Sequence, residues 1–182
     1  MNKYFIIIIF SIFISRENYI AIIDFENINM NSGTVKALTQ RLTTELITLE
    51  KFDVLERSDM EKLLDEQKFQ YSGCVDTQCV VDIGKILGAK HMVIGSISKI
   101  GNSYSIDARM ISVETSKAVK SAQYTYNGKI EDLMKYGMKS IAYQLSDLKE
   151  KRSFSDYLEQ NKKIFIRSGL VLWIIWGLLP PK

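Results

Sequence analysis

The sequence contains few of the residues from which metal and catalytic sites are commonly built. Among its 182 residues there are one histidine, two cysteines and two prolines. A zinc site of the usual kind takes four cysteine or histidine ligands, so this chain has too few of them. The content of 46% hydrophobic and 25% charged residues is typical of a globular protein and excludes a disordered or collagen-like chain.

The chain also lacks a strong excess of either charge. Its formal net charge is +3, but four of its 24 basic residues lie in or beside two apolar end segments, at Lys3, Arg16, Arg167 and Lys182. Between residues 17 and 163, the remaining 20 basic residues are balanced by 21 acidic residues. This nearly neutral central region gives no reason to expect a nucleic-acid partner.

Known catalytic motifs are missing as well. The sequence has no Gly-x-Ser-x-Gly nucleophile elbow, no Walker loop and no dinucleotide fingerprint. We interpret His91 as a surface residue at the start of a strand rather than as a general base. Asp24 and Glu26 lie at the end of the first predicted strand, where two carboxylates could hold a metal ion, but a cap or loop hydrogen bond is the simpler interpretation. The sequence therefore predicts no catalytic residue, cofactor, metal site or small-molecule substrate.

Long hydrophobic runs are absent too, and the apolar segment at the N-terminal end is short. Residues 4–14 contain a single polar side chain, Ser11, and follow a positively charged start. This pattern is typical of a secretory signal peptide, which we predict over residues 1–15 although its cleavage site is weak. The alternative is a buried N-terminal strand or helix of a cytosolic protein. A signal peptide would export the chain to the periplasm or cell envelope.

The second apolar segment spans residues 164–179 and contains one charge and two tryptophans. As a helix it would reach about 24 Å, which is less than the roughly 30 Å hydrocarbon core of a bilayer. Because tryptophan favours the membrane interface, we predict a membrane-associated segment that includes Leu170, Trp173 and Trp176. A terminal helix packed on the domain or on a partner is the alternative. Residues 149–163, which precede this segment, are predicted to form a charged linker.

Between these ends the hydrophobic pattern alternates between strands and helices. An uninterrupted apolar run at residues 19–25 is typical of a strand buried on both faces, and a helical stripe follows it. Ser58 and Glu61 match a capping box, and a clean alternation from Tyr104 to Met110 follows a predicted turn at Gly101. These patterns predict the order β-α-β-α-α-β-β-β-α over residues 19–148. The predicted fold class is α/β, with a mixed sheet of about five strands flanked by helices.

Cys74 and Cys79 form the one specific local feature. Their C-x4-C spacing differs from the C-x-x-C of thioredoxin-like redox sites. They flank a predicted turn between two helices in which Asp76 can cap the second helix, and such a turn can bring two Cα atoms within disulfide range. We predict a structural disulfide if the chain is exported to an oxidising compartment. Two buried free thiols and a redox-active pair are the alternatives.

Several segments resemble CsgG-type domains, the family related to curli assembly and transport components. The resemblance covers residues 19–148, and it is carried by the order and spacing of its segments rather than by any single motif. These segments read Ile-Ala-Ile-Ile-Asp-Phe-Glu-Asn at 20–27, Phe-Asp-Val-Leu-Glu-Arg-Ser at 52–58, Ile-Gly-Lys-Ile-Leu-Gly-Ala-Lys at 83–90, Val-Ile-Gly-Ser-Ile at 93–97 and Ile-Ser-Val-Glu-Thr-Ser-Lys at 111–117. Activators of penicillin-binding proteins share this fold, and the N-terminal domain of TolB is similar to it.

The resemblance implies a non-enzymatic, membrane-associated protein of the cell envelope that binds other envelope proteins or associates with itself. It transfers no catalytic residue to this chain. Curli channel subunits are lipoproteins with long inserted hairpins, whereas no lipid-bearing cysteine follows the apolar run here and the hairpin at Gly101 is tight. These two differences favour a binding module over a subunit of an outer-membrane export channel, which is the alternative. A small redox or metal-dependent enzyme that uses Cys74 and Cys79, or Asp24 and Glu26, is the third possibility.

Overall fold

The computed structural model describes residues 18–67 and 76–149, which form a mixed sheet with helices on both faces. The elements in chain order are β1 (Tyr19–Ile22), β2 (Glu26–Ile28), α1 (Ser32–Thr48), β3 (Asp53–Val54), α2 (Arg57–Glu66), α3 (Thr77–Leu87), β4 (His91–Ile100), β5 (Ser103–Ser112), β6 (Ala118–Asn127), α4 (Ile130–Asp132), a π-helical turn (Leu133–Gly137) and α5 (Met138–Leu145). The strands lie in the order β3-β1-β4-β5-β6, and β2 also pairs with β4. The predicted α/β class is confirmed, with six strands in place of about five.

The sheet has a parallel side and an antiparallel side, and they meet at β4. β3 is parallel to β1, and both β1 and β2 are parallel to β4. β4, β5 and β6 form an antiparallel meander. The predicted turn between β4 and β5 is present, and Gly101 adopts a φ of 60° there, which glycine reaches without a Cβ clash. Helices connect the parallel strands because such strands need a long crossover.

The first predicted strand is interrupted, which differs from the expectation of one strand over residues 19–25. β1 pairs with the start of β4 and β2 pairs with its second half. At the break, the backbone N–H of Phe25 donates to Thr39 Oγ1 in α1 at 3.2 Å. The buried ring of Phe25 lies against Gly95 of β4, where an added Cβ would come within 2.6 Å of ring carbon Cε2. Thr39 and Gly95 therefore hold the break in place.

Helices cover the two faces of the sheet unequally. α1 and α5 pack on one face, and their Leu38, Leu42 and Ile141 are fully buried against sheet residues such as Ile97 and Ile106. On the other face, α2 and α3 pack mainly against β1, the start of β4 and the end of β5. The rest of this second face carries exposed polar side chains from β5 and β6, namely Asp107, Arg109, Ser121, Gln123 and Thr125.

The two edges of the sheet also differ. β3 at one edge has two residues, whereas β6 at the other edge has ten. The side-chain amide of Gln144 in α5 covers part of the long edge. It accepts from the backbone N–H of Gln123 at 3.2 Å and donates to the backbone carbonyl of the same residue at 3.0 Å. Such cover reduces the exposure of unpaired backbone groups on an edge strand.

Local hydrogen bonds fix the starts of α1 and α3. Asn31 caps α1 by accepting from the N–H of Thr34, and Asp76 caps α3 as predicted by accepting from the N–H of Cys79 at 2.9 Å. The predicted capping box of Ser58 and Glu61 is wrong. α2 begins at Arg57, and its N-cap residue makes no side-chain cap hydrogen bond. The carboxylate of Glu61 instead accepts from Arg57 Nε at 2.8 Å.

Several predicted segments lie outside the described residues. These are the signal peptide at 1–15, the linker beyond Lys149 and the membrane-associated segment with Leu170, Trp173 and Trp176. Within residues 18–67 and 76–149, none of the helices has both the length and the apolar character that crossing a membrane requires.

Candidate functional site

The chain leaves β1 and β3 toward opposite faces of the sheet, and these two strands are neighbours. After β1 and the short β2, α1 packs on one face, whereas α2 follows β3 and packs on the other. Because the two strands are parallel, their carboxyl ends lie at the same edge of the sheet. In open α/β sheets, a pair of strands with this arrangement bounds a crevice in which ligands commonly bind.

A crevice is present at this point, and we call it the switch crevice. It contains about 430 Å³ of space that is open to solvent, and it is bordered by the ends of both strands and by both helices. An adjoining pocket of about 300 Å³ shares part of this border and adds Glu61. The groups that define the crevice are Ile22 at the end of β1, Asp24 beyond it, Gln40 in α1, Glu56 after β3, and Arg57 and Met60 in α2.

An ion pair between Asp24 and Arg57 dominates the switch crevice. The two terminal nitrogens of the guanidinium each donate to one carboxylate oxygen, and the Nη2–Oδ2 distance is 2.6 Å. Arg57 Nε donates to Glu61. The hydrogen bond to Asp24, opposed by partial burial and assisted by Glu61, raises the pKa of Arg57 above its usual range. The guanidinium therefore stays charged and its position is fixed by contacts in two directions.

The ion pair is exposed enough for solvent to weaken it. The side chains of Arg57 and Asp24 keep 43% and 36% of their surface accessible. Pairs at such positions typically contribute 0.2–1 kcal/mol to stability. We expect a double-mutant cycle of Asp24→Ala and Arg57→Ala to give a coupling free energy of about this size, measured by urea unfolding. The coupling should decrease in 1 M salt because screening shortens the range of the attraction. A coupling of zero at low salt would contradict the bidentate pair.

The structure separates the two carboxylates that the sequence offered as a metal pair. Both oxygens of Asp24 are bound to Arg57, while Glu26 lies exposed in β2, which pairs with β4. Neither interpretation of Asp24 from the sequence included Arg57 as its partner. In the part of the chain that the structure describes, no cluster of three or more histidine, cysteine, aspartate or glutamate side chains could hold a metal ion.

His91 is more enclosed than the predicted surface position at a strand end. It does begin β4, where it lies between Ile20 of β1 and Ser112 of β5. Its Nδ1 atom is buried and finds no hydrogen-bond partner among the described residues. Burial, and then the positive charges of Lys90 and Lys120, lower the pKa of His91 below its ordinary value of 6.5. The imidazole is therefore held in its neutral form.

This histidine makes the stability of the fold depend on pH. Because its pKa is lower in the folded chain, the unfolded chain takes up the proton first as the pH falls. The free energy of unfolding is expected to be highest above pH 6.5 and to decrease as the pH falls from there toward the folded pKa. Urea unfolding between pH 8 and pH 5.5 measures this decrease. His91→Gln should remove it, since the chain has one histidine, and a decrease that persists in this variant would contradict the assignment.

The cysteine pair is described at one of its two positions. Cys79 lies in the first turn of α3, is half-buried, and packs against the core cluster beneath α2 and α3. Cys74 lies outside the described residues. The disulfide between them stays a prediction.

The sequence patterns do not single out most of the switch crevice. Arg57 lies in one of the segments that resemble the CsgG-type domains but shows no catalytic or metal-binding spacing. Gln40 and Met60 belong to ordinary helical stretches. One usable signal is positional, because Asp24 lies two residues beyond β1 and Arg57 lies three residues beyond β3. Opposite charges just after neighbouring parallel strands are well placed to pair.

Comparisons with known proteins agree on the family and on the fold. A family model described as the curli production assembly/transport component CsgG matches residues 13–130. No curated protein sequence matches the chain. Similar solved structures include the C-terminal domain of LpoB from Salmonella enterica, with a TM-score of 0.53 and 14% identity over 61% of this chain and 83% of that chain. Lipoprotein GNA1162 from Neisseria meningitidis is also similar, with a TM-score of 0.52 and 12% identity over 89% of this chain and 99% of that chain.

A PelC dodecamer from Paraburkholderia phytofirmans is also similar, with a TM-score of 0.50 and 15% identity over 75% of this chain and 92% of that chain. At identities of 12–15%, these three structures establish a shared fold. The family match spans more than half of the chain.

Proposed function

Because this chain belongs to the CsgG family of curli production assembly/transport components, we propose that it is a non-enzymatic, exported protein of the cell envelope that binds other envelope proteins or associates with itself. The family match supports this class of function. The similar structures support the fold on which the function would be built.

The composition of the switch crevice is the observation that carries the proposal. Three of the four charged groups are already engaged, since Arg57 binds both Asp24 and Glu61. Its other groups are the carboxylate of Glu56, an amide, hydroxyls and apolar side chains, which can contact a partner without chemical change. A partly charged crevice at the switch point of the sheet suits recognition.

The proposed location rests on the sequence and on the family. An apolar run at residues 4–14 after a positive start favours export, and residues 164–179 favour attachment to a membrane surface. One similar structure is described as a lipoprotein. In such an oxidising compartment, a disulfide between Cys74 and Cys79 would fix the chain just before α3.

Cross-linking in intact cells tests the proposal. The full chain, carrying an affinity tag, would be cross-linked, purified from the envelope fraction and analysed by mass spectrometry. We expect a reproducible cross-linked envelope protein or multimers of the chain itself, and analytical ultracentrifugation would identify the multimers. A strictly monomeric chain with no cross-linked partner would contradict the proposal.

A subunit of an outer-membrane export channel is the second candidate, and the transport role in the family description favours it. The tight turn at Gly101 between β4 and β5 favours the binding module, because it leaves little chain for an inserted hairpin. Electron microscopy of the purified full chain distinguishes the two. Rings that survive in detergent would favour the channel subunit.

A further inference from the structure

We propose that the switch crevice binds a lysine or arginine side chain of another envelope protein. This inference rests on the proposed function as a binding module, and it names the chemistry that the partner presents. It follows from the net charge of the crevice, from the carboxylate of Glu56, which is unpaired within the described residues, and from the apolar side chains that line one wall.

The charge of the crevice favours a cation. Three carboxylates and one guanidinium border the crevice and its adjoining pocket, which gives a formal net charge of −2. The guanidinium of Arg57 is held by Asp24 and Glu61 on both of its donor sides. An incoming carboxylate would therefore compete with two bound carboxylates and would be repelled by all three, whereas an incoming cation is attracted. The four charged groups are Asp24, Glu56, Glu61 and Arg57.

Glu56 is the carboxylate that is available for pairing. It is exposed, and as the N-cap residue of α2 it makes no side-chain cap hydrogen bond. It also forms no ion pair within the described part of the chain, unlike Asp24 and Glu61, which both bind Arg57. A cationic side chain in the crevice can bind Glu56 without breaking an existing contact.

The wall of the crevice suits the aliphatic part of a long basic side chain. Ile22, Leu55 and Met60 supply apolar surface, and methylene stems of lysine and arginine pack on such surface while their charged ends remain solvated. Met60 has a flexible thioether that adapts to the shape of a bound chain. On the opposite wall, α1 contributes the amide of Gln40.

A peptide titration tests the proposal directly. The full chain, labelled at isoleucine, leucine and methionine methyl groups, is titrated with a capped tripeptide whose central residue is arginine. We expect shifts at the methyl groups of Ile22, Leu55 and Met60, and weaker binding in 0.5 M salt. Peptides with a central glutamate or norleucine should bind at least threefold more weakly. Equal binding of the glutamate peptide would overturn the proposal.

A matched pair of variants isolates the role of Glu56. Glu56→Gln should weaken binding of the arginine peptide about threefold, as expected for loss of one exposed ion pair. Glu114→Gln makes the same change at an exposed turn after β5 and should leave the affinity unchanged. Equal thermal midpoints of the three proteins show that folding is unaffected. An unchanged affinity in Glu56→Gln, or an equal loss in Glu114→Gln, would overturn the proposal.

Cross-linking separates this inference from the proposed function. Loss of the cross-linked partner from Glu56→Arg, which reverses the charge at the crevice, would support both. A partner recovered equally from the wild-type chain and from Glu56→Arg would overturn the crevice site and leave the binding function standing. If the cross-linked product lost in Glu56→Arg is a second copy of this chain, the assignment to another protein would be wrong.

Discussion

Replacement of Gly95 by alanine is expected to lower the free energy of unfolding by about 1–3 kcal/mol. The added Cβ would lie 2.4 Å from the backbone carbonyl oxygen of Asp107 and 2.6 Å from Cε2 of Phe25. Asp107 belongs to β5, whose pairing with β4 restrains the carbonyl. The ring of Phe25 is 4% exposed and has little room to withdraw. Urea unfolding followed by circular dichroism measures the loss.

Two further variants show whether this clash is the cause. Gly33→Ala places the same methyl group in the exposed first turn of α1, where its nearest neighbour is the exposed Asn31 side chain at 3.1 Å. It should change the free energy of unfolding by less than about 0.5 kcal/mol. Phe25→Leu combined with Gly95→Ala should lose less than the sum of the two single changes, because the ring is one of the two obstacles. A Gly95→Ala chain as stable as the wild type would refute the close approach.

Thr39→Val should cost about 1–3 kcal/mol, although the two side chains have nearly the same shape. Thr39 is 3% exposed, and its hydroxyl accepts from the N–H of Phe25 and donates to the carbonyl of Val35. Valine leaves the buried N–H at the break without an acceptor. Amide hydrogen exchange at Phe25 should accelerate in the same variant, and urea unfolding measures the total loss.

The controls for Thr39 separate the hydroxyl from the methyl groups. Thr39→Ser keeps the acceptor and should lose less stability than Thr39→Val. Thr43→Val makes the same change one turn further along α1, where the hydroxyl only donates to the carbonyl of Thr39 at 3.2 Å. It should be nearly neutral. If Thr43→Val lowers the free energy of unfolding as much as Thr39→Val, the loss comes from placing valine in α1 rather than from the missing hydrogen bond to Phe25.

Elements with local signals at both ends could be predicted from the sequence. α3 covers Thr77–Leu87, because Asp76 caps its start as predicted and Gly88 ends it with a φ of 63°. The alternation in β5 gave the correct buried face, which includes Ile106 and Met110. The resemblance to the CsgG-type domains is confirmed by the family match.

Features that depend on distant residues could not be predicted. The apolar run at residues 19–25 has the same composition whether the strand continues or breaks. The break depends on Thr39, which is 14 residues away from Phe25, and on a glycine in another strand. The capping-box pattern failed for a local reason instead, since the helix begins at Arg57 and this residue binds the carboxylate of Glu61 four residues further along.

The switch crevice shows the same limit more strongly. Asp24 and Arg57 are 33 residues apart, and their contact exists only because β3 pairs with β1. No spacing rule along the chain contains that information. The sequence placed Asp24 and Glu26 together at the end of the first strand, whereas the structure places Asp24 in the switch crevice and Glu26 in β2.

The junction at β4 has a consequence for how the molecule opens. The meander of β4, β5 and β6 is built from contacts between neighbouring parts of the chain, whereas β1, β2 and β3 reach their positions through long crossovers. Segments held by distant contacts and short strands are expected to exchange in local unfolding events that leave the meander intact. We expect the switch crevice to belong to that less protected cooperative unit. A partner that binds there would therefore stabilise the half of the domain that opens first, and its binding can be read as slower amide exchange in β1 and β3.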